Sequence, residues 1–319
     1  MKAIVVTEHG GPEVLAGAEA ATPTPGAGEV LVDVSAAGVN YIDVYHRTGL
    51  YPIEPPFTPG LEGAGTVAEL GEGVTEYAVG DQVAWSQVPG SYASQVVAPV
   101  AALLPVPSDV PPTVAAAVLL QGLTAEYLSS STHPVAAGDE VLIHAGAGGV
   151  GLLLTQLVKH RGGRVIATVS SEDKAELSKE AGADEVIGYE GFADRVRELT
   201  GGRGVDVVYD GVGKATFEGG LASLRPRGLM ALFGQASGPV PPMDPQTLAK
   251  HGSLYLTRPI GAHYLGPKEF RRRADGLFSL ISSGELSVRI GGEYDLDRAR
   301  LAHEDLEARR TTGKLLLVP

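Results

Sequence analysis

The chain has 319 residues, 44% of them hydrophobic, and its 25 Lys and Arg face 38 Asp and Glu for a formal net charge of −13 at pH 7. That length suits about two domains, and an acidic field of this size repels polyanions, which argues against nucleic acid as a partner. Cysteine is absent, so disulfides, thiolate nucleophiles and every cysteine-based zinc site are excluded together.

The first residues, MKAIVV, read as a strand rather than as a leader with a basic flank and apolar core. No apolar run approaches the ~20 residues that cross a bilayer. The expectation is a cytoplasmic protein without a membrane partner. Short alternating stretches cut by glycine and proline follow: KAIVVT (2–7), EVLVDVSAAGV (29–39), GAGTVAEL (63–70), DQVAWS (81–86) and YASQVVAP (92–99). They predict a mostly β domain. The character changes at PPTVAAAVLLQGLTAEYL (111–128), alanine-rich and opened by two prolines, as a helix start requires. A domain boundary is expected near residue 123.

Beyond it, strand patterns at 140–144, 164–169, 185–187, 205–210, 228–233 and 253–258 alternate with helical patterns at 149–161, 172–180, 192–199 and 215–224. Regular β-α alternation predicts an α/β fold with a doubly wound, six-stranded parallel sheet. After residue 259 a helical stretch, EFRRRADGLFSLISSG, and two strand-like segments, SVRIGGEY and KLLLVP, are too small for a core of their own. The expected division is therefore 1–123 with 260–319 in one domain and 124–259 in the other.

HAGAGGVG (144–151) lies between the first strand and the first helix of the parallel domain. A lone Gly-x-Gly-x-x-Gly spacing says little in a glycine-rich chain. In this context each glycine acquires a distinct role. Gly146 permits the tight turn, Gly148 lets the backbone approach a pyrophosphate, and Gly151 lets the helix pack on the sheet. The N-terminus of the helix then offers unpaired N–H groups to the anion. The second strand ends Thr168-Val169-Ser170-Ser171, so Ser170 stands where an NAD site usually carries an acid. Lys174, one turn into the next helix, can meet a 2′-phosphate as a point charge. NADPH is the expected cofactor; the alternative makes Lys174 a solvated residue and Glu172 the ribose acceptor. Two further turns, at Gly211 and Gly213 and at Phe233-Gly234-Gln235, fall at carboxyl ends of strands, where ligands of such sheets bind.

These signals are joined by GVNYIDVYHRTGLYP (38–52), PGLEGAG (59–65), LLQGLTAEYL (119–128), VVYDGVG (207–213), RGLMALFGQASG (227–238), GSLYLTRP (252–259) and a terminal RRTTGKLLLVP. As a set they resemble the zinc-independent quinone oxidoreductases of the medium-chain dehydrogenase/reductases, essentially from end to end. The resemblance implies a GroES-like β-rich catalytic domain beside the Rossmann domain, a homodimer paired through GSLYLTRP, and hydride transfer from NADPH to a quinone or similar conjugated carbonyl. Zinc enzymes of the superfamily carry Cys where this chain has Asn40 and His where it has Leu61, leaving Glu62 without companion ligands; no metal is expected. The family pattern places Lys174, Tyr189 and Arg309 (or its neighbour Arg310) around the 2′-phosphate and adenosine. It places Gly148, Gly149 and Val150 on the diphosphate, and Asn40, Gly234 and Gln235 near the nicotinamide end. Asn40, Tyr45, Tyr51, Gln121 and Thr124 are the candidates lining a substrate pocket, the tyrosines offering flat faces and hydroxyl donors. The alternatives are an enone or enoyl double-bond reductase on the same fold, and a non-catalytic nucleotide-binding protein of crystallin-like or RNA-binding use.

Overall fold

Residues 1–319 are described by the computed structural model. The chain folds as two units, Met1–Gln121 with Ala274–Pro319 and Gly122–Arg273. In chain order the first stretch runs β1 (Lys2–Val5), β2 (Ala16–Glu19), β3 (Glu29–Val39), α1 (Tyr41–Arg47), β4 (Glu62–Leu70), β5 (Gln82–Ser86), β6 (Gln95–Pro99), β7 (Leu103–Pro105) and α2 (Pro112–Tyr127). The second unit contains β8 (Glu140–Ile143), α3 (Gly149–His160), β9 (Arg164–Thr168), α4 (Glu172–Glu180), β10 (Glu185–Ile187) and α5 (Phe192–Leu199). It continues with β11 (Val205–Asp210), α6 (Phe217–Ser223), β12 (Leu224–Leu232), α7 (Gln246–Lys250) and β13 (Tyr255–Thr257). Helix α8 (Pro267–Ser282) leads back to the first unit, which ends β14 (Ile290–Asp295), α9 (Ala299–Glu307), β15 (Lys314–Val318).

In the first unit a seven-stranded sheet has the order β14-β15-β3-β4-β5-β7, with β6 paired to β3. Period-2 alternation turns Val30, Val32 and Val34 of β3 to a core shared with Val67, Val83, Trp85, Val96 and Leu317. The Trp85 indole N–H reaches the Ser91 hydroxyl at 2.9 Å, so the one polar atom of that ring is satisfied.

The second unit is a six-stranded sheet of order β10-β9-β8-β11-β12-β13, every pair parallel. Leu142, Ile166, Val208 and Met230 meet Phe192, Phe217 and Leu221 in its core. The order reverses at β8, beside which β9 and β11 lie on opposite sides, and the carboxyl ends of strands at such a reversal form the ligand edge of a doubly wound sheet.

Three details depart from the sequence reading. The fifth parallel strand begins at Leu224 rather than 228, because Val205 already pairs with Leu224 ahead of an irregularity in the ladder. Residues 260–273, expected with the first unit, fall in the second. There the Tyr264 ring stacks on Tyr127 (4.6 Å, 10°), and the buried Arg273 guanidinium holds Glu126, Ser130 at 2.8 Å and Ser131 at 2.8 Å. Finally, β2, β7, α1, α7 and α9 are elements that the sequence patterns do not predict.

Candidate functional site

The turn after β8 is built for close approach. Gly148 caps α3 with extended backbone (φ −77°, ψ 169°), and no side chain caps the helix. The three glycines differ in what a side chain would meet. A Cβ on Gly146 would lie 2.7 Å from Ala167 Cβ and 2.5 Å from Ser178 Oγ, and one on Gly151 2.3 Å from the Ala145 carbonyl oxygen. Both are demanded by packing. A Cβ on Gly148 would touch only Ala145, its oxygen at 3.1 Å. The chain itself leaves that face of the turn open, as a cradle for a pyrophosphate requires.

Under the turn lies His144, buried, with Nδ1 2.8 Å from the Thr168 hydroxyl oxygen. Burial pulls its pKa down to about 4, so the ring is neutral at pH 7. Phe192 meets it edge-on at 4.8 Å and Tyr189 stacks at 6.2 Å. The Tyr189 hydroxyl oxygen in turn accepts the Ala145 backbone N–H at 3.1 Å, which ties this aromatic to the glycine turn.

Beside the turn is a hollow of about 520 Å³ lined by Val169 to Glu172, Ala175 and Val186 to Glu190. Lys174 reaches its rim, Nζ lying 3.4 Å from Ser170 Oγ. Ser170, Lys174 and Tyr189 are thus brought to one hollow, with Glu172 also in its lining. The turns after β11 and β12 pack on each other: a Cβ on Gly234 would lie 2.5 Å from the Gly211 oxygen, and one on Gly211 2.9 Å from the Phe233 ring. Asp210 organises the first of them, accepting the Val212 and Gly213 N–H groups at 2.7 and 2.9 Å and the Thr216 hydroxyl at 2.8 Å. Thr124 hydrogen-bonds Tyr127, a phenol whose pKa burial raises to about 12.

The first unit holds a second polar assembly, which sequence reasoning misses. Glu62, at the start of β4, and Lys314, at the start of β15, form a fully buried ion pair. The Glu62 carboxylate also accepts the Asn40 Nδ2–H at 2.7 Å and the Leu120 N–H at 2.7 Å. Lys314 donates to Asn40 Oδ1 at 2.8 Å, and Gln121 Nε2 donates to the same oxygen at 3.2 Å. A Cβ on Gly38 would fall 2.3 Å from Glu62 Oε1 and 2.6 Å from Lys314 Cε, so this glycine makes the room the pair occupies.

From Asn40 the network continues inward. Asp43 accepts the Asn40 backbone N–H at 2.8 Å and the Tyr92 hydroxyl at 2.9 Å, and burial raises its pKa to about 6. Arg47, always a donor, lies 3.1 Å from His303 Nδ1, which fixes that nitrogen as an acceptor and leaves Nε2–H to donate to Tyr92 at 3.1 Å. His303 is neutral, its pKa pulled down to about 3 by burial and then by Arg47. Tyr45 and Tyr51 meet at 5.2 Å, rings at 67°, the first buried and the second partly exposed. Arg310 is held by Asp305 at 2.6 Å, whereas Arg309 lies close enough to Tyr41 to lower the pKa of that phenol against the larger effect of burial.

Residues 26–108 match the alcohol dehydrogenase GroES-like domain, and residues 149–276 match the domain described as zinc-binding dehydrogenase. A quinone oxidoreductase of Pseudomonas aeruginosa is 44% identical over 100% of this chain and 99% of its own. The chain belongs to the quinone oxidoreductase family of medium-chain dehydrogenase/reductases. A solved mycobacterial relative of this family, complexed with NADPH, is 53% identical and superposes with a TM-score of 0.97 over 100% of both chains. The 2-haloacrylate reductase of a Burkholderia species is 40% identical over 99% of this chain and 98% of its own. The metal named in one domain description finds no donor set: no three His, Cys, Asp or Glu side chains converge, and Glu62 is already matched by an ammonium.

Proposed function

We propose that the protein is an NADPH-dependent quinone oxidoreductase acting in the cytoplasm. The observation that carries this reading is the open face at Gly148, set at the uncapped start of α3 beside the 520 Å³ hollow, on a fold that superposes at 0.97 with an NADPH complex. In this reading Gly146, Gly148, Gly149, Val150 and Gly151 form the diphosphate cradle. Ser170, Lys174 and Tyr189 receive the phosphorylated adenosine end, with Arg309 as a further cation. Gly211, Phe233, Gly234 and Gln235 serve the ribose and nicotinamide end. NADPH, when bound, supplies the hydride. The chain itself has to place a planar acceptor and stabilise charge developing on its oxygen; placement alone can contribute ~7–11 kcal/mol. Tyr45, Tyr51 and Thr124 are the residues we assign to the acceptor; Asn40, expected beside them, is buried with its amide committed to Lys314, Gln121 and Glu62, so it and Gln121 do not hold the quinone itself.

A double-bond reductase is the second reading, favoured by the 40% identity to 2-haloacrylate reductase. Both electrophiles are conjugated carbonyl compounds. The test is NADPH consumption across quinones, enones and 2-haloacrylates with a chelator present. Turnover of quinones, indifferent to chelator, is expected; an enzyme that oxidises NADPH only with the alkenes supports the second reading, and no oxidation with any acceptor refutes both.

We also infer that two copies pair through β13. This edge strand exposes Tyr255 (62%) and Leu256 (39%), with Ile260 (54%) just beyond it, and an unpaired apolar edge invites a second strand.

A further inference from the structure

Asn40 is spent inside the first unit. Its amide oxygen accepts from Lys314 and Gln121, and its amide nitrogen donates to Glu62 and, at 3.4 Å, to the Gly38 carbonyl. The polarity of this amide cannot be reversed. Lys314 has only donors and the Glu62 carboxylate has only acceptors, so together they fix which end of Asn40 is oxygen. That choice dictates the next one: with an oxygen facing it at 3.2 Å, Gln121 must present its Nε2 to Asn40. Its own oxygen, Oε1, is then left buried with no partner. An unpartnered acceptor in a folded interior is costly unless something else completes it.

We propose that Gln121 Oε1 is a fixed acceptor for a neutral N–H or O–H donor on the bound ligand, and that Lys314 is the positioning residue that sets this polarity through Asn40. A quinone, which has carbonyl oxygens only, cannot satisfy it. The carboxamide N–H of the nicotinamide can, and so can the O–H of the hydroquinone product. The inference rests on reading the chain as an NADPH-dependent quinone reductase.

The experiment compares wild type with Gln121→Met, which keeps length and removes both polar atoms. Two arms identify the donor: the dissociation constants of NADPH and of its 3-acetylpyridine analogue, which has a methyl ketone in place of the carboxamide, and product inhibition by a hydroquinone. If the carboxamide is the donor, wild type prefers NADPH over the analogue by about tenfold, the scale of one hydrogen bond left unmade, and Gln121→Met loses that preference. If the product is the donor, the ratio of the NADPH and analogue constants is the same in wild type and Gln121→Met, and inhibition by hydroquinone weakens by about tenfold in the variant. In either case the melting temperature stays near that of wild type, because the deleted acceptor has no partner in the free protein and Asn40 keeps its bond from Lys314. Lys314→Arg should retain the affected quantity and Lys314→Met should lose it; where Lys314→Met does not fold, the Gln121 arms decide. A Gln121→Met protein matching wild type in all three ligand constants overturns the proposal while leaving the quinone reductase reading intact. A wild-type protein that holds no NADPH overturns both.

Discussion

Replacing Gly148 by alanine separates the two reasons a turn can need glycine. The backbone there is extended (φ −77°, ψ 169°), which alanine adopts without strain, and the new methyl carbon would press only on the Ala145 oxygen at 3.1 Å. Loss of the better N-cap costs up to ~1 kcal/mol and the stiffer unfolded chain returns ~0.4–1 kcal/mol, so stability should change little. The ligand face behaves differently. A methyl where a pyrophosphate must approach the backbone removes at least one charge-assisted hydrogen bond, ~1.5–3 kcal/mol, and NADPH affinity should fall about tenfold to a hundredfold. Gly151→Ala is the control with the opposite signature. Its methyl carbon would start 2.3 Å from a backbone oxygen, an overpacking that costs ~1–3 kcal/mol and lowers the melting temperature by several degrees at roughly 2–4 °C per kcal/mol. Fluorescence titration with NADPH and a thermal melt of each variant complete the assay. If Gly148→Ala binds NADPH within twofold of wild type, the turn is not the cradle and the cofactor assignment fails with it.

Reversing the charge at position 174 should cut NADPH affinity about ten- to a hundredfold while leaving NADH affinity nearly unchanged; equal preference for the two nucleotides in both proteins would remove Lys174 from the 2′-phosphate. Gly38→Ala should destabilise the protein by ~1–3 kcal/mol, since the methyl carbon would be driven into the Glu62–Lys314 pair, and an unshifted denaturation midpoint would contradict that geometry. Acid sensitivity follows from the two neutral histidines, whose pKa values lie at about 4 for His144 and about 3 for His303 when folded. Unfolded histidine titrates near ~6.5, so below that pH the unfolded chain binds the extra protons, and stability present above pH ~6.5 drains away as pH falls toward 4. Asp43, raised to about 6, acts oppositely over the same range and only softens the slope. Melting temperature against pH should show the loss, and His144→Leu should make it shallower. Leu256→Glu on the β13 edge should yield a monomeric mass by light scattering; a wild type already monomeric would refute the pairing.

How much of the fold and site is legible in the sequence depends on how far apart the partners lie. The β8–α3–β9 unit is local: apolar runs, three glycines at set spacing and a helix start occupy about thirty consecutive residues, so periodicity and turn chemistry reveal it. Helix α1 escapes such reading because Tyr41–Arg47 is short and rich in aromatic and β-branched residues with weak helical propensity. The available signal is Asn40 followed three residues later by Asp43, the spacing with which an N-cap and an acid close a helix start. The buried network lies beyond any local signal. Lys314 meets Glu62 across 252 positions and Asn40 across 274. In the sequence Glu62 is a residue without companion ligands, and only the pairing of β15 with β3 and of β3 with β4 brings an ammonium to it. Residues 260–273 are misplaced by sequence for a related reason, since the anchors Tyr264 and Arg273 find Tyr127 and Glu126 far upstream.

The bare α-carbon at position 38 ties three separate strands into one heritable unit. A larger residue there is free of that clash only once the acid on β4 and the base on β15 have both gone, while losing either charge alone strands the other in the interior at a cost of ~3–5 kcal/mol. Drift that adds bulk at 38 or removes one of the two charges is therefore costly unless the other positions move in step. Chimeras that exchange β3, β4 or β15 singly with a relative carrying a different trio should misfold at this joint even where the sheet registers agree.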